Sequence, residues 1–566
     1  MPTASTISIK ETLDLLDGPF LGLSQGVSQG GYAFWLGSGI SRDRVIGLDG
    51  VLAKLIEFLR SHSTADPACR FRQTLDRIVT LAEATPADRA QIDLAQPAST
   101  WPCLGNLVSR LWNKYSEVLS EEVPNEALDY LLWVALDFPN TFASQDADAE
   151  HLAIGMLALE GAIADLATAN WDGLLEAAMK ELGHPVSFFR ITVTGEDLRG
   201  PAAAVTLYKF HGCALRAIED EPAYRPLLVA RSAQIIGWMG NATFKIVRDQ
   251  LEALIQRTRT LMIGMSAQDA NIQNLFGQVG ALQGWKWNAQ PTPIVFSADE
   301  LAHSQKTVLN VAYGDDYEPN RQAIWVAARL QAYSKPLLIA LVLSVITTKL
   351  QVLATDADAP HLDAAARVAI ADGIKHLRNQ AAGAGNGDRL TAVRRMATGL
   401  ARARHQLQNG TSPEGLPAYF PIDSQPVHLM KGKLGLAITG QREAANALGL
   451  IGLDDEAATW TVTVDDPTDS RSGALRLNSP SASARVFFVA NDDNITSLME
   501  SGAFDEHDSD VVVICSRRVS ERQQRNPGAN LRTGAIGPRY MAFGPMLGRA
   551  LDLDSLRDEF RAEIAI

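Results

Sequence analysis

The sequence predicts an α/β fold: a parallel, helix-flanked sheet interrupted by a helical insertion, then a helical region and a smaller C-terminal α/β module. Three observations predict it. Short apolar runs that stop at a glycine or a polar turn recur in the first half: "GYAFWLGS", "VSFFRITVTGEDL", "AAVTLYKFHGCA" and "RTLMIGMSAQDANIQNLF". They alternate with helical patterns, as in a parallel sheet covered on its faces. A second kind of stretch, at about 60–165, is mostly helical, with breaks such as "AQPASTWPCLGN". After "NGTSPEGLP" strand-like runs return.

The elements follow in order. Residues 1–20 read as a tail or a helix. "GYAFWLGS" reads as a strand, and Val51, Leu52, Leu55, Ile56 and Leu59 behind it have helical spacing. "LALEGAIADLATANWDGLLEAAMKELG" runs through a turn into a helix ending at Gly183. These pieces make 21–310 a Rossmann-like parallel sheet with the insertion at about 60–165. Residues 320–410 are alanine-rich and helical, with "AAGAGNGD" between two helical pieces. "SARVFFVANDD" and "SDVVVICSRR", with a helical "NITSLMESGAF" between them, make 415–566 a small α/β unit.

Composition narrows the class. The chain has 566 residues and a formal charge of −14, which argues against a broad basic nucleic-acid surface. Its four cysteines, Cys69, Cys103, Cys213 and Cys515, stand far apart without a C-x-x-C, so no zinc knuckle or disulfide framework is legible. Single thiols and the absence of a leader pattern in "MPTASTISIKETLDLLDGPF" fit a cytoplasmic setting. The most apolar run, Leu337–Thr348, is short of the roughly twenty residues a bilayer requires and reads as a core helix.

Chemistry-bearing residues gather at strand ends. Gly37-Ser38-Gly39 could let the backbone approach a diphosphate at a helix start. It could equally be an ordinary turn, because the dinucleotide fingerprint fails at Arg42. Asn170 and Asp172 lie at the next corner, where a helix cap is the plain alternative. His211 precedes Gly212, and Gly264, Ser266 and Asp269 end a fourth strand. In an open parallel sheet, strand ends of this kind meet at one crevice.

In this order the residues resemble the sirtuin-like (silent information regulator type) NAD-binding domain of prokaryotic antiphage defence proteins. Sirtuins carry Gly-Ala-Gly-Ile-Ser, Thr-Gln-Asn-Ile-Asp and His-Gly. This chain carries Gly37-Ser38-Gly39-Ile40-Ser41, Thr168-Ala169-Asn170-Trp171-Asp172 and His211-Gly212. Gly264, Ser266 and Asp269 are similar to a later motif of the defence branch. The resemblance covers about residues 20–300. The four-cysteine zinc ribbon of deacetylating sirtuins is missing, so the resemblance implies NAD+ as substrate, hydrolysed to nicotinamide and ADP-ribose, with no zinc.

On that basis Gly37, Ser38, Gly39 and Ser41 are expected to hold the diphosphate. Asn170 is expected to hold the nicotinamide ribose or water, Asp172 to fix its corner or favour developing positive charge, and His211 to act as base. Gly264, Ser266 and Asp269 are expected at the adenosine ribose. The resemblance further implies homo-oligomers, control by a HerA-type ATPase or a short Argonaute, only indirect contact with nucleic acid, and no membrane. Two readings compete: a non-catalytic NAD or ADP-ribose sensor, and a nuclease or scaffold using Asp492 and Asp493, which a solvated turn explains as well.

Overall fold

In the computed structural model, described over residues 3–143, 146–412, 417–519 and 537–564, two sheets are joined by long helices. The first has seven parallel strands: β1 Tyr32–Leu36, β2 Asp165–Thr168, β3 Phe189–Thr192, β4 Val205–Lys209, β5 Arg259–Ile263, β6 Ile294–Ser297 and β7 Arg329–Leu330. Their order is β3-β4-β2-β1-β5-β6-β7. From β1 the chain lays β2, then the edge strand β3 and β4 between them on one side, and crosses to the other with β5, so the topological switch lies between β1 and β5. Every residue of β1 is buried, as its unbroken "YAFWL" run requires of a central strand covered on both faces.

Side chains alternate between two cores. Phe34 and Leu36 face one made with the helices Ala149–Leu159, Leu174–Glu181 and Ser334–Thr355. Trp35 and Ala33 face another made with Lys245–Arg257, Ala270–Gln283 and His303–Tyr313. The domain edges differ from those expected. The helices between β1 and β2 that form a separate core begin at Leu48 and end at Phe142. The next helix, Ala149–Leu159, is buried along its whole length under the first sheet. The seventh strand also lies beyond residue 310; two residues are too few for a pattern to reveal.

The apolar run expected at Leu337–Thr348 extends into a helix of 22 residues, Ser334–Thr355. By length and composition it is the one helix among the described residues that could cross a membrane, but most of it is buried within the protein. Its mid-helix cation, Lys349, is buried and paired with Glu160 at 2.7 Å, and Tyr419 donates to the same carboxylate at 2.6 Å. Polar groups this deep hold their place only when paired. Helices Ala364–Ala384, Arg389–Asn409 and Gln441–Glu456 continue this core.

The core reaches a second sheet of β8 Thr461–Thr463, β9 Leu475–Asn478, β10 Ser483–Val489, β11 Val511–Cys515 and β12 Arg539–Ala542, ordered β12-β11-β10-β9-β8. β10, β11 and β12 are parallel, whereas β9 pairs antiparallel with both β10 and β8. Asp492 and Asp493 open the helix Asp492–Glu500 behind an Asn491 cap, and among the described residues no group of His, Cys, Asp or Glu is placed to hold a metal ion.

Candidate active site at the strand ends

Strand register sets the site. Leu36 of β1 pairs with Thr168 of β2 and Ile263 of β5, and Thr168 pairs with Lys209 of β4. The four residues form one row across the sheet. Two positions beyond that row stand Ser38, Asn170, His211 and Met265. The expected site residues on β1, β2 and β4 therefore leave the sheet side by side and at the same height.

Side chains then lock the corners together. The Thr168 hydroxyl donates to Leu36 O at 2.9 Å and accepts from Asn170 N at 3.0 Å. Asn170 Nδ2 donates to Gly37 O at 3.1 Å and Ser41 Oγ at 3.2 Å, and Ser41 Oγ donates to Asp172 Oδ2 at 2.8 Å. The other Asp172 oxygen accepts Leu174 N at 3.2 Å, at the start of the helix that follows. Asp172 is thus occupied in fixing the corner. The Asn170 amide spends its donor end on the glycine turn, which leaves Oδ1, an acceptor, toward a ligand.

The glycine turn works differently from the expectation. The Gly37 and Gly39 amides donate to Ile263 O at 3.0 Å and Gly264 O at 2.9 Å. In this conformation those two donors are not available to a diphosphate. A side chain at Gly37 would run into Gly264 O, and Gly264 itself has φ +64°, which favours glycine. The three glycines let the β1 and β5 ends meet across the topological switch. Ser38 is left exposed at the tip of the turn.

His211 is 6% exposed, and its Nε2 lies 3.0 Å from Asp269 Oδ2, to one side of a hydrogen-bonding line. Asp269 also caps Ala270–Gln283, accepting from Asn271 N at 2.9 Å. Burial pushes the Asp269 carboxyl up, but His211 and the Asn271 amide outweigh it and hold it below the usual range. The expected ribose ligand is thus an imidazole partner here. Ser266 is exposed, and its carbonyl accepts from Ser304 at 2.5 Å.

Several supporting residues escaped the sequence reading. Trp171 Nε1 donates to His211 O at 2.9 Å and Trp238 Nε1 to Phe210 O at 3.0 Å, which fixes the end of β4 on both sides. Lys209 Nζ donates to Asp172 O and Glu176 Oε1, each at 2.5 Å, in a pair only 1% exposed. Burial alone would lower the Lys209 ammonium, but its buried neighbours, the Glu176 and Asp172 carboxylates among them, raise it instead. A lysine inside "TLYKFHG" was the available signal, since an unpaired charge is not tolerated in a buried strand.

The Leu48–Phe142 helices close over this corner. Trp171 packs against Phe138 and Phe142, with ring centroids 5.7 and 5.4 Å away. Burial, and after it the Asp269 charge, pushes the Tyr115 hydroxyl up.

Residues 165–314 match a family model described as SIR2-like domain. The match opens at the first residue of β2 and ends just past the helix His303–Tyr313. It omits β1, which the insertion separates from the rest in sequence and the sheet returns to the centre. No curated protein matches the chain. Residues 165–314 carry a sirtuin-like domain, which suggests an NAD-related activity.

Proposed function

We propose that the SIR2-like domain is an NAD+ glycohydrolase that cleaves the nicotinamide–ribose bond with water, releasing nicotinamide, ADP-ribose and a proton. The observation that carries this reading is the shared row: Asn170 and His211 lie two residues beyond paired positions on adjacent strands, beside the β1–β5 switch. The pyridinium is cationic before cleavage and leaves neutral, so the bond needs little acid assistance. The site has to favour the ribosyl cation and place a water. Asn170 Oδ1, with its amide nitrogen held by Gly37 O and Ser41 Oγ, is an acceptor for that water or for a ribose hydroxyl. His211 takes the proton, and Asp269, 3.0 Å away, holds the imidazole in place. Asp172 keeps the Asn170 corner in place through Ser41.

We further propose that NAD depletion serves antiphage defence and that oligomerisation or a partner, a HerA-type ATPase or a short Argonaute, controls it. The burial of His211, only 6% exposed, supports a resting form that opens on activation. The test is nicotinamide release from NAD+, followed by chromatography with the parental chain and its genomic neighbours co-expressed. His211→Ala and Asn170→Ala are each expected to lower turnover by ~10²-fold or more, the scale of a lost general base, with the folded state intact. Parental turnover in either variant refutes the assignment.

A further inference from the structure

A second charged hollow lies apart from the row of strand ends. It has a volume of about 520 Å³ and is lined by Arg44, Asp148, Lys335 and the segment Asn386–Leu390. That is ample for a nucleotide-sized ligand. Three helices begin on its wall: Ala149–Leu159 behind Asp148, Ser334–Thr355 at Lys335, and Arg389–Asn409 behind Asp388. Their positive ends converge with three cationic side chains, Arg44, Lys335 and Arg389.

The carboxylates around the hollow are already engaged. Asp148 pairs with Lys335 at 2.9 Å and Arg44 at 3.4 Å and accepts from Ala149 N. Asp43 pairs with Lys335 at 2.5 Å. Asp388 caps its own helix through Leu390 N and Thr391 N. Glu150, behind the wall, lies 3.9 Å from Lys335. Arg389 is different. It is half-buried, its one hydrogen bond runs to Ile7 O at 3.2 Å, and among the described residues no carboxylate lies within ion-pair distance of it. Burial depresses its guanidinium, with only the more distant Glu150 charge opposing. Arg44 Nε, buried on the same wall, has no hydrogen-bond partner. Two guanidinium groups thus line one hollow, Arg389 without an ion-pair partner among the described residues and Arg44 with only a long 3.4 Å contact to Asp148, in a chain whose net charge is −14.

We propose that this hollow binds a phosphate-bearing small anion, held by Arg389 and Arg44 against the three helix N-termini. Guanidinium groups and helix starts are the two devices that recognise phosphate most directly. The site is separate from the proposed NAD chemistry and does not depend on it. It adjoins the crevice through sequence: Asp43 and Arg44 follow Ser41, whose hydroxyl ties Asn170 to Asp172. An anion drawing on Arg44 would compete with Asp148 and shift the segment that leaves the glycine turn.

The experiment is isothermal titration of the full chain with inorganic pyrophosphate and, separately, with ATP, both free of divalent metal. Saturable one-site binding is expected. Arg389→Gln should weaken it at least tenfold, Arg389→Lys should retain most of it, and His211→Asn should leave it within twofold. Thermal unfolding of each variant without ligand confirms that the fold is kept. Tighter binding of ATP than of pyrophosphate identifies a nucleotide, equal affinities a free polyphosphate, and both support the site. No saturable binding to the parental chain overturns the proposal. So does an affinity unchanged in Arg389→Gln, or a loss in His211→Asn as large as in Arg389→Gln, which would put the anion in the crevice.

Discussion

Replacing Lys209 with methionine removes the cation under the Asn170–Asp172 corner and leaves Glu176 where water cannot reach it. Both side chains are 1% exposed, and the second Glu176 oxygen already lacks a hydrogen-bond partner. Without the ammonium, the carboxyl remains folded only by taking up a proton, because a lone buried carboxylate is costlier still. The cost of that proton follows from linkage. An ordinary glutamate titrates near ~4.3, so holding it neutral at pH 7 costs about 3.7 kcal/mol at about 1.36 kcal/mol per pH unit. The folded-state pKa of Glu176 in Lys209→Met is raised, so the folded chain binds the extra proton and the penalty grows as pH rises. At pH 5 the same reasoning leaves about 1 kcal/mol. The assay is urea unfolding of the parental chain and Lys209→Met, followed by tryptophan fluorescence at several values between pH 5 and pH 8. The double variant Lys209→Met/Glu176→Leu should recover most of the loss and flatten its pH dependence. A penalty of the same size at pH 5 and pH 8 would mean lost packing rather than a stranded charge, and would refute the reasoning.

Two further predictions concern titrating groups. Asp269→Asn keeps a cap for Asn271 but removes the charge beside His211; nicotinamide release should fall by about 10- to 100-fold, part of the ~10²–10⁴ of a general base, and an unchanged rate would remove Asp269 from the site. Burial holds the Glu150 carboxyl up at about 7. Its folded pKa is raised, so it costs stability as pH climbs from about 4.3 towards 7, and Glu150→Gln should be more stable than the parent at pH 8 by up to ~3 kcal/mol, with no gain at pH 4. Urea midpoints at the two values check this.

Much of the first sheet was legible because its strands are buried on both faces and therefore read as unbroken apolar runs ended by glycine, as in "YAFWLGSG" and "LMIGMS". The order of the strand ends was legible too, and the register brings Ser38, Asn170 and His211 into one row. What the glycines do was not. Gly37 and Gly39 look the same in sequence whether they admit a phosphate or the Gly264 backbone; only the register between β1 and β5 decides, and it depends on residues more than two hundred positions apart. The 3.0 Å contact of Asp269 with His211 was hidden too, because 58 positions separate them in sequence. The insertion's reach into the site was hidden likewise, since Phe138 and Phe142 carry no mark of their partner Trp171.

The contacts around the site fall into two layers of unequal strength, and this bears on how a buried His211 can meet a substrate. The lower layer is dry: Lys209 with Glu176, Thr168 with Leu36, and Ser41 with Asp172 are buried pairs that a local opening would have to desert without water to replace them. The upper layer joins the insertion to the segment after His211 through partly exposed polar contacts, which water can replace, beside the apolar contacts of Leu228 and Ala230. Arg225 and Asp129 are each more than a fifth exposed, and the Ser232 contacts to Ser116 and Ser120 are hydroxyl bonds near the surface. An exposed ion pair contributes about 1 kcal/mol or less, whereas stranding one partner of a buried pair costs about 3–5 kcal/mol. Local opening follows the weaker contacts. The insertion can therefore lift from Trp171 while Asn170, Asp172 and His211 keep their row. A corner built to remain rigid under a cover built to move is what a reaction needing both a fixed geometry and an entrance for a dinucleotide requires.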